Sequence, residues 1–439
     1  MARRLIALLT LLALAGCRRP GQGSRPPDAR ADAAPKVVRA VWRELPATAE
    51  PAAALVRERT RRSTKPALLP DKAEQVIGLV ARRAREGRLW VGWPHLVQRL
   101  QSEISAAGGA YLLFGTYHDA GGQMEAFRRL IGPTGLRDLS LAALEQLPAD
   151  GRWQGVPLEA QRGLSAAVGR YLRGGQREDL QQVAREQRRH NYTGWKYGYL
   201  STMLDLLVTA RAQDLDLVGC DMPRALQRRL GSAATQLDRL RELHCLHTVD
   251  DALSRVKTPR RVAMAWGQAH LASEGLARFL PPAIRVVAVH AHGHRPGPAG
   301  LERELHQRLL LADPVLVELD DDASSDTARY LLLLDGPELG VRVHRARDRL
   351  DRPPPPGQRP RLRVSADRAG QLSLGGKSVA LEPWKEAVLA LAPGPGTYLF
   401  VGAGQTLVGS LELPDDGALS LTLELKARQV RLELQTASW

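Results

Sequence analysis

The chain has 439 residues, which is long enough for two domains that each bury a core. Its formal net charge is +15, but nearly all the basic residues are arginines spread along predicted helices, and no RNA- or DNA-binding motif is present. The charge therefore does not indicate a nucleic-acid partner, and it suits contact with anionic lipid or polyanionic envelope material. Three cysteines are too few for a metal site built from thiolates.

The first 17 residues predict a lipoprotein signal peptide. Arg3 and Arg4 precede an apolar stretch at 5–16, which is shorter than the roughly 20 residues that span a bilayer. The stretch ends in Leu-Ala-Gly-Cys, typical of a bacterial lipobox, so we expect lipidation at Cys17; an ordinary cleaved signal peptide is the alternative. Arg18 follows the cysteine and favours the outer membrane, facing either the periplasm or the exterior. We expect a lipid-anchored protein of the bacterial cell envelope.

Two further features of the sequence concern the mature protein, a predicted tether and a pair of cysteines. Residues 18–37 are rich in Pro, Arg, Ala and Asp and predict a flexible tether, because this composition cannot bury a core. Cys220 and Cys245 lie in apolar surroundings. In an oxidising compartment they could form a disulfide, and they could equally be buried thiols.

Short apolar runs bounded by polar residues predict buried strands between 38 and 352. The runs lie at 110–114, 139–144, 215–219, 262–266 and 284–289. Helical stretches separate them, a pattern typical of an α/β domain with a parallel or mixed sheet and helices on both faces. Each run ends on polar residues, so the carboxyl edge of the sheet is the predicted ligand site.

Histidines and carboxylates follow these strands. His118 and His270 each come three residues after a glycine, in Gly-x-x-His, and Glu145 and Asp221 follow two other strands. His118, Glu145 and His270 make a two-histidine, one-carboxylate set that suits a divalent metal such as Zn or Mn. The alternative is that these histidines are hydrogen-bonded residues in strand-end turns. His290, after the last run, is either a further ligand or the end of an exposed edge.

The most aromatic window of the chain lies at 190–199. It contains Tyr192, Trp195, Tyr197 and Tyr199, with glycines at 194 and 198 that interrupt a helix. Such aromatics belong either to a helical core or to the wall of a pocket for a planar ligand such as a porphyrin. A tyrosine phenolate can also ligate haem iron.

A proline-rich linker at 353–360 separates a different region. Residues 361–439 contain short alternating runs between Gly, Pro and Asp-Gly signals, which predict a small antiparallel β-domain. This region contains no histidine or cysteine. We expect it to pack or dock, with an envelope protein as its partner.

Three segments resemble a known family. Residues 111–131, 192–226 and 261–282 are similar, in this order, to the motifs of ChaN-like haem-binding uptake lipoproteins of the Tiki/TraB and erythromycin-esterase-like superfamily. The resemblance covers about 75–300. It implies an α/β fold and haem binding for iron uptake. Tiki-like relatives imply metal-dependent peptide hydrolysis, with His118, Glu145 and His270 as the metal ligands.

The sequence departs from the family at Thr116, where many relatives have glutamate. Threonine cannot act there as a base or an anionic ligand, which weakens hydrolysis more than binding. The first expectation is therefore a haem-binding protein without turnover, with His118, Asp119 and His270 as a polar floor and the 192–199 aromatics as a wall. The alternatives are a metal-dependent hydrolase with Asp119 or Asp221 as base, and a non-catalytic interaction module.

Overall fold

The structure is a computed structural model. It describes residues 49–61, 69–116, 121–148, 167, 170, 171, 174–189, 199–222, 227, 234–254, 260–272, 275–292, 301–319, 327–334, 340–346, 361–413 and 418–435. The chain divides into Met1–Glu44, which lies outside the described residues, and one compact unit, Leu45–Trp439. The predicted signal peptide, tether and proline-rich linker also lie outside them. Within the described residues, no helix is both long and apolar enough to cross a membrane.

Strands and helices alternate through the first part of this unit. In chain order they are α1 (Ala49–Arg59), α2 (Ala73–Glu86), β1 (Leu89–Val91), α3 (Trp93–Ser105), β2 (Gly109–Thr116), α4 (Gly121–Leu130), β3 (Leu141–Pro148), α5 (Arg177–Arg189), α6 (Tyr199–Ala212), β4 (Asp216–Asp221), α7 (Ala234–Leu253), β5 (Arg260–Gly267), α8 (Gln268–Ala272), a 3₁₀ turn (Leu276–Phe279), β6 (Arg285–His292) and α9 (Leu301–Arg308). The strands that follow are β7 (Leu309–Leu311), β8 (Val315–Glu318), β9 (Thr327–Leu333), β10 (Gly340–Ala346), β11 (Arg361–Ala366), β12 (Gly370–Leu374), β13 (Lys377–Leu381), β14 (Ala387–Ala390), β15 (Gly394–Gly402), β16 (Gln405–Leu413), β17 (Ala418–Glu424) and β18 (Gln429–Gln435).

The described strands of the first part form an eight-stranded mixed sheet in the order β1-β8-β9-β6-β2-β5-β3-β4. All pairs from β9 to β4 are parallel, and β8 runs antiparallel to both its neighbours. The five predicted apolar runs overlap β2, β3, β4, β5 and β6. The predicted fold class, an α/β sheet followed by a β-region, is confirmed.

Both faces of the sheet are covered, which explains why its strands read as continuous apolar runs. On one face, Leu112, Ala265 and Val289 pack in a core with residues of α3, α4 and α6. On the other face, Leu331 and Leu333 of β9 share a core with α2. Helices therefore lie on both faces, and the carboxyl edge is left for polar residues.

Two five-stranded sheets form the β-region, β10-β18-β17-β11-β14 and β13-β12-β15-β16-β7. Their apolar faces share one core that includes Leu372, Phe400 and Leu421. The sequence predicted antiparallel strands confined to 361–439. The pairs β10–β18, β11–β17 and β16–β7 are parallel. β7 and β10 precede the linker, so segments from the first part of the chain add strands to these sheets.

Cys220 and Cys245 form a disulfide, one of the two alternatives that the sequence left open. The bond joins β4 to α7.

Candidate functional site

The structure describes only part of the predicted site. Glu145 lies within β3, Asp221 is the last residue of β4, His270 lies in α8 directly after β5, and His290 lies near the end of β6; all four are buried. Tyr199 is the first residue of α6, and its side chain is not described. The residues that lie outside the described part of the chain are Cys17, His118, Asp119, Tyr192, Trp195 and Tyr197.

Arg241 of α7 joins two of the predicted carboxylates. Its Nη2 donates to Glu145 at 2.6 Å and its Nε donates to Asp221 at 2.9 Å. The second oxygen of Glu145 accepts from the backbone N–H of Gly267 at 2.6 Å. Protein donors therefore occupy both oxygens of Glu145, and the predicted metal set of His118, Glu145 and His270 fits this carboxylate poorly. In the part of the chain that is described, no group of three or more His, Cys, Asp or Glu side chains could hold a metal ion.

Burial governs the electrostatics of this ion-pair network. Burial by itself would lower the pKa of Arg241, but its contacts with Asp221 and Glu145 outweigh this effect and raise that pKa above its ordinary value. Burial raises the pKa of Asp221, and Arg241 opposes the rise. Arg241 is therefore a permanent cation that holds two buried carboxylates at the sheet edge.

Glu242, the next residue of α7, orients His270. Its Oε1 lies 2.8 Å from Nδ1 of His270, and the carboxylate also accepts from Arg239 at 2.9 Å. Glu242 is fully buried, and the imidazole stands edge-on to Trp266 with ring centroids 5.5 Å apart. With the Nδ1–H donated to Glu242, Nε2 carries the lone pair and faces away from the carboxylate. This is the geometry of a histidine base held by an acid.

His270 also borders a small cleft. The free space in the cleft is about 10 Å³, and apolar side chains including Leu113, Leu271, Leu276 and Ala288 line it together with Thr327 and Arg329. This space has about the size of a single water molecule, which suits an imidazole that acts on water.

Trp266, Gly115 and His290 form a row across β5, β2 and β6. Gly115 pairs in register with both of the others. The Gln268 side chain lies over Gly115, where a Cβ would come within 1.9 Å of Gln268 Oε1 and would displace the end of that side chain. Gln268 Nε2 lies 3.0 Å from Nδ1 of His290.

The row contains buried polar atoms with unmet hydrogen bonds. Among the described residues, Trp266 Nε1, Gln268 Oε1 and His290 Nε2 are buried without a partner. Burial, with smaller effects from His292 and Arg329, lowers the pKa of His290 to about 3. His290 is therefore neutral at physiological pH and serves as a hydrogen-bonding group of the sheet edge rather than as a charge.

Sequence reasoning predicted a helical stretch at 223–257 but did not assign α7 to the site. It identified the residues that follow strands, but Arg239, Arg241 and Glu242 lie in a helix that crosses the same edge from a distant part of the chain. Two features could have signalled it. Residues 241–245 place an arginine, a glutamate, a histidine and a cysteine within about one helical turn, and Cys245 had one possible intramolecular partner once Cys17 was assigned to the anchor.

Comparisons with known proteins do not assign a family. No protein-family model and no curated protein matches the chain. A solved structure described as bacterial protein toxins is 14% identical over 49% of this chain and 39% of its own, with a TM-score of 0.29. The C-terminal region of Pasteurella multocida toxin is 12% identical over 44% of this chain and 24% of its own, with a TM-score of 0.28. The type III effector HopBA1 is 13% identical over 56% of this chain and 96% of its own, with a TM-score of 0.29. This chain thus matches well under two thirds of the first two structures, and similarity at this level carries no argument about function.

Proposed function

We propose that the protein is a hydrolase in which His270, oriented by Glu242, is the general base. The observation that carries this proposal is the 2.8 Å contact between Nδ1 of His270 and the fully buried Glu242 carboxylate. A carboxylate in this position fixes the tautomer of the imidazole, directs Nε2 to the substrate and stabilises the imidazolium that forms.

Water is the proposed nucleophile. Within the described residues, no hydroxyl or thiol side chain is hydrogen-bonded to His270, so these residues offer no serine or cysteine for a covalent intermediate. Nε2 would remove a proton from water as the oxygen attacks, and the resulting imidazolium would return the proton to the leaving group. Because Glu145 is fully engaged by Arg241 and Gly267, the proposal assigns no metal to this step.

Charges of both signs surround the site. Among the described side chains, three buried carboxylates, Glu145, Asp221 and Glu242, face two guanidinium groups, Arg239 and Arg241. Asp238 adds a further negative charge from the solvent side. Arg329 brings a positive charge to the lining of the cleft beside His270. A carboxylic ester or an amide is the proposed substrate class, because a general base assists the attack of water on the carbonyl carbon of either.

A panel of neutral esters and amides tests the proposal on the mature chain. We expect His270→Asn to abolish hydrolysis and Glu242→Gln to lower kcat at least about 100-fold, since both remove an oriented base. His95→Asn, a histidine of α3, is the matched control and retains full activity. Full activity in His270→Asn, or activity abolished by a metal chelator, would contradict the proposal.

Haem binding is a second proposal, and the sequence resemblance of about 75–300 is its specific support. In this proposal the protein serves iron uptake at the outer membrane, anchored through Cys17, with 361–439 contacting an envelope protein. Tyr192, Tyr197 or Tyr199 would supply a phenolate to the iron, and His118, Asp119, Trp195 and His270 would surround the porphyrin. Titration with hemin should then give a saturable Soret band that weakens in Tyr197→Phe or His118→Ala. A hemin absorption spectrum that is the same with and without the protein would contradict haem binding.

A further inference from the structure

The disulfide lies directly beside the proposed acid–base site. Cys220 immediately precedes Asp221 at the end of β4, and Cys245 is one helical turn beyond Arg241 in α7. The two Cα atoms are 4.4 Å apart, and both side chains are fully buried. The bond therefore joins the strand end that carries one site carboxylate to the helix turn that carries the site arginine and glutamate.

Helix periodicity places the bond on the site face of α7. Cys245 follows Glu242 by three residues and Arg241 by four, and residues at these spacings share a helix face. A second link acts in the same place, because Nδ1 of His244 lies 3.1 Å from the backbone oxygen of Cys220. Together these links fix the rotation of α7 about its own axis and its position along that axis relative to the sheet.

Small movements of α7 would disconnect the site. A helix with its side chains has a radius of about 5–6 Å, so a rotation of about 20° moves a side-chain tip by about 2 Å. The contacts that define the site are 2.6 Å for Arg241 with Glu145 and 2.8 Å for Glu242 with His270. A shift of this size breaks either contact.

We propose that the Cys220–Cys245 disulfide is the positioning element of the site, so that Arg241 and Glu242 reach their partners only in the oxidised chain. This inference rests on the proposed hydrolase function. Formation of the bond removes two electrons and two protons from the two thiols. An oxidised thiol–disulfide partner, such as a dithiol oxidoreductase or glutathione disulfide, accepts them and is reduced to two thiols.

The proposal makes activity depend on the compartment. In a reducing cytoplasm the thiols stay separate and the base is not oriented, whereas an oxidising compartment completes the site. A hydrolase with this property is inactive where it is synthesised.

The test measures the imidazole hydrogen bond directly, independently of activity. In mature protein labelled with ¹⁵N-histidine, the Nδ1–H of His270 donated to Glu242 should give a low-field proton resonance. Its loss in His270→Gln and in Glu242→Gln assigns it. We expect this resonance to disappear in Cys220→Ala, in Cys245→Ala and in the double variant, with kcat lowered about 10- to 100-fold and KM little changed.

The decisive comparison is whether the two single cysteine variants and the double variant lose the same fraction of kcat. Either single substitution removes the whole bond, so the double variant should be no worse than a single one. Losses that add up would assign the two sulfurs separate packing roles and overturn the proposal. Wild-type protein refolded with reductant should also lack the resonance and regain it on reoxidation with glutathione disulfide, which covers the case of a substitution that prevents folding.

Leu372→Ala, in the core of the β-region, is the matched control for lost stability. It should lower the urea midpoint without changing the His270 resonance, because it leaves α7 untouched. A resonance and a kcat unchanged in the double cysteine variant would overturn the proposal. A disulfide-dependent resonance in a protein that hydrolyses none of the esters or amides would instead contradict the hydrolase function and leave the positioning role standing.

Discussion

At the scale of single residues, Arg241 has the largest consequences. Its guanidinium is the described cation that Glu145 and Asp221 share, and its side chain is only 16% exposed. Breaking a buried ion pair by removing one partner is costly, because the remaining charge stays buried without compensation.

Arg241→Met should therefore lower the free energy of unfolding by about 3–5 kcal/mol at pH 7. Without Arg241, the pKa of Asp221, which burial already raises, rises further, so the carboxylate protonates and the loss shrinks as the pH falls. Urea unfolding of the variant and the wild type at pH 7 and pH 5 measures both effects. Arg82→Met, at a half-exposed residue of α2, is the control and should change stability by less than about 0.5 kcal/mol. An equal loss at both pH values would contradict the account.

Two buried histidines make stability depend on pH. Burial lowers the pKa of His244 to about 4 and that of His290 to about 3. In the unfolded chain both titrate near 6.5, so below that pH the unfolded state binds protons that the folded state does not. Their contribution to stability is complete above pH 6.5 and is lost as the pH falls.

The free energy of unfolding should consequently decrease between pH 6.5 and pH 4, by about 3 kcal/mol from His244 alone, at about 1.4 kcal/mol per pKa unit. Urea unfolding at pH 7, 5.5 and 4.5 measures this decrease. His290→Gln removes one of the two groups and should give a shallower dependence than the wild type. An identical dependence in both proteins would show that His290 does not stay neutral in the fold.

At the scale of elements, a buried arginine attaches α2 to the sheet. Arg83 is fully buried, and it donates from Nε to the backbone oxygen of Glu318 at 2.8 Å and from Nη2 to that of Leu319 at 3.0 Å. Its Nη1 forms an ion pair with Glu86 at 2.6 Å. One planar guanidinium thus donates hydrogen bonds to backbone oxygens at the end of β8 and pairs with a carboxylate in the last turn of α2.

Arg83→Met should lower the free energy of unfolding by about 2–4 kcal/mol, because it removes the donor to two partly buried carbonyl groups and the shortest ion pair of Glu86. Amide hydrogen exchange should accelerate in α2 more than in α3. Arg85→Met, at an exposed position of the same helix, serves as the control. Uniform acceleration across the sheet would indicate global destabilisation instead of detachment of α2.

The strands and the helices differed in what could be predicted about them. The runs at 110–114 and 262–266 are bounded and apolar, and they became β2 and β5 because burial on both faces leaves a local signature. No comparable pattern in the sequence indicated that α7 contributes residues to the site. Its sheet-facing residues include Arg241, Glu242 and Cys245, so hydrophobic periodicity could not reveal which face meets the site.

At the scale of the whole molecule, the β-region and the sheet share structure. Leu399 and Val408 belong to the same core as α2 and β8, and β7 pairs with β16. Asp313, before β8, accepts from the Ser410 hydroxyl at 2.7 Å. These contacts join residues on either side of the proline-rich linker.

Removing residues 353–439 should therefore destabilise the remaining α/β part, because β7 loses its neighbour and the core around α2 becomes exposed. Tryptophan fluorescence during urea unfolding, to which the buried Trp266 contributes, should show a clearly lower midpoint in the truncated chain. Val388→Ser, at an exposed position of β14, is the control that changes the β-region without breaking this interface. An unchanged midpoint after truncation would show that the α/β part folds independently.

The sequence by itself determined the strands of the central sheet and the polar residues at their carboxyl ends, because burial and chain direction are local properties. Glu145, Asp221, His270 and His290 were found in this way. Only the tertiary structure decided their partners, since Glu145 and Arg241 are 96 residues apart and α7 brings them together. The same is true of the disulfide and of the strands that β7 and β10 add to the β-region. Contacts between distant segments depend on how the elements pack, and no short pattern in the chain records that packing.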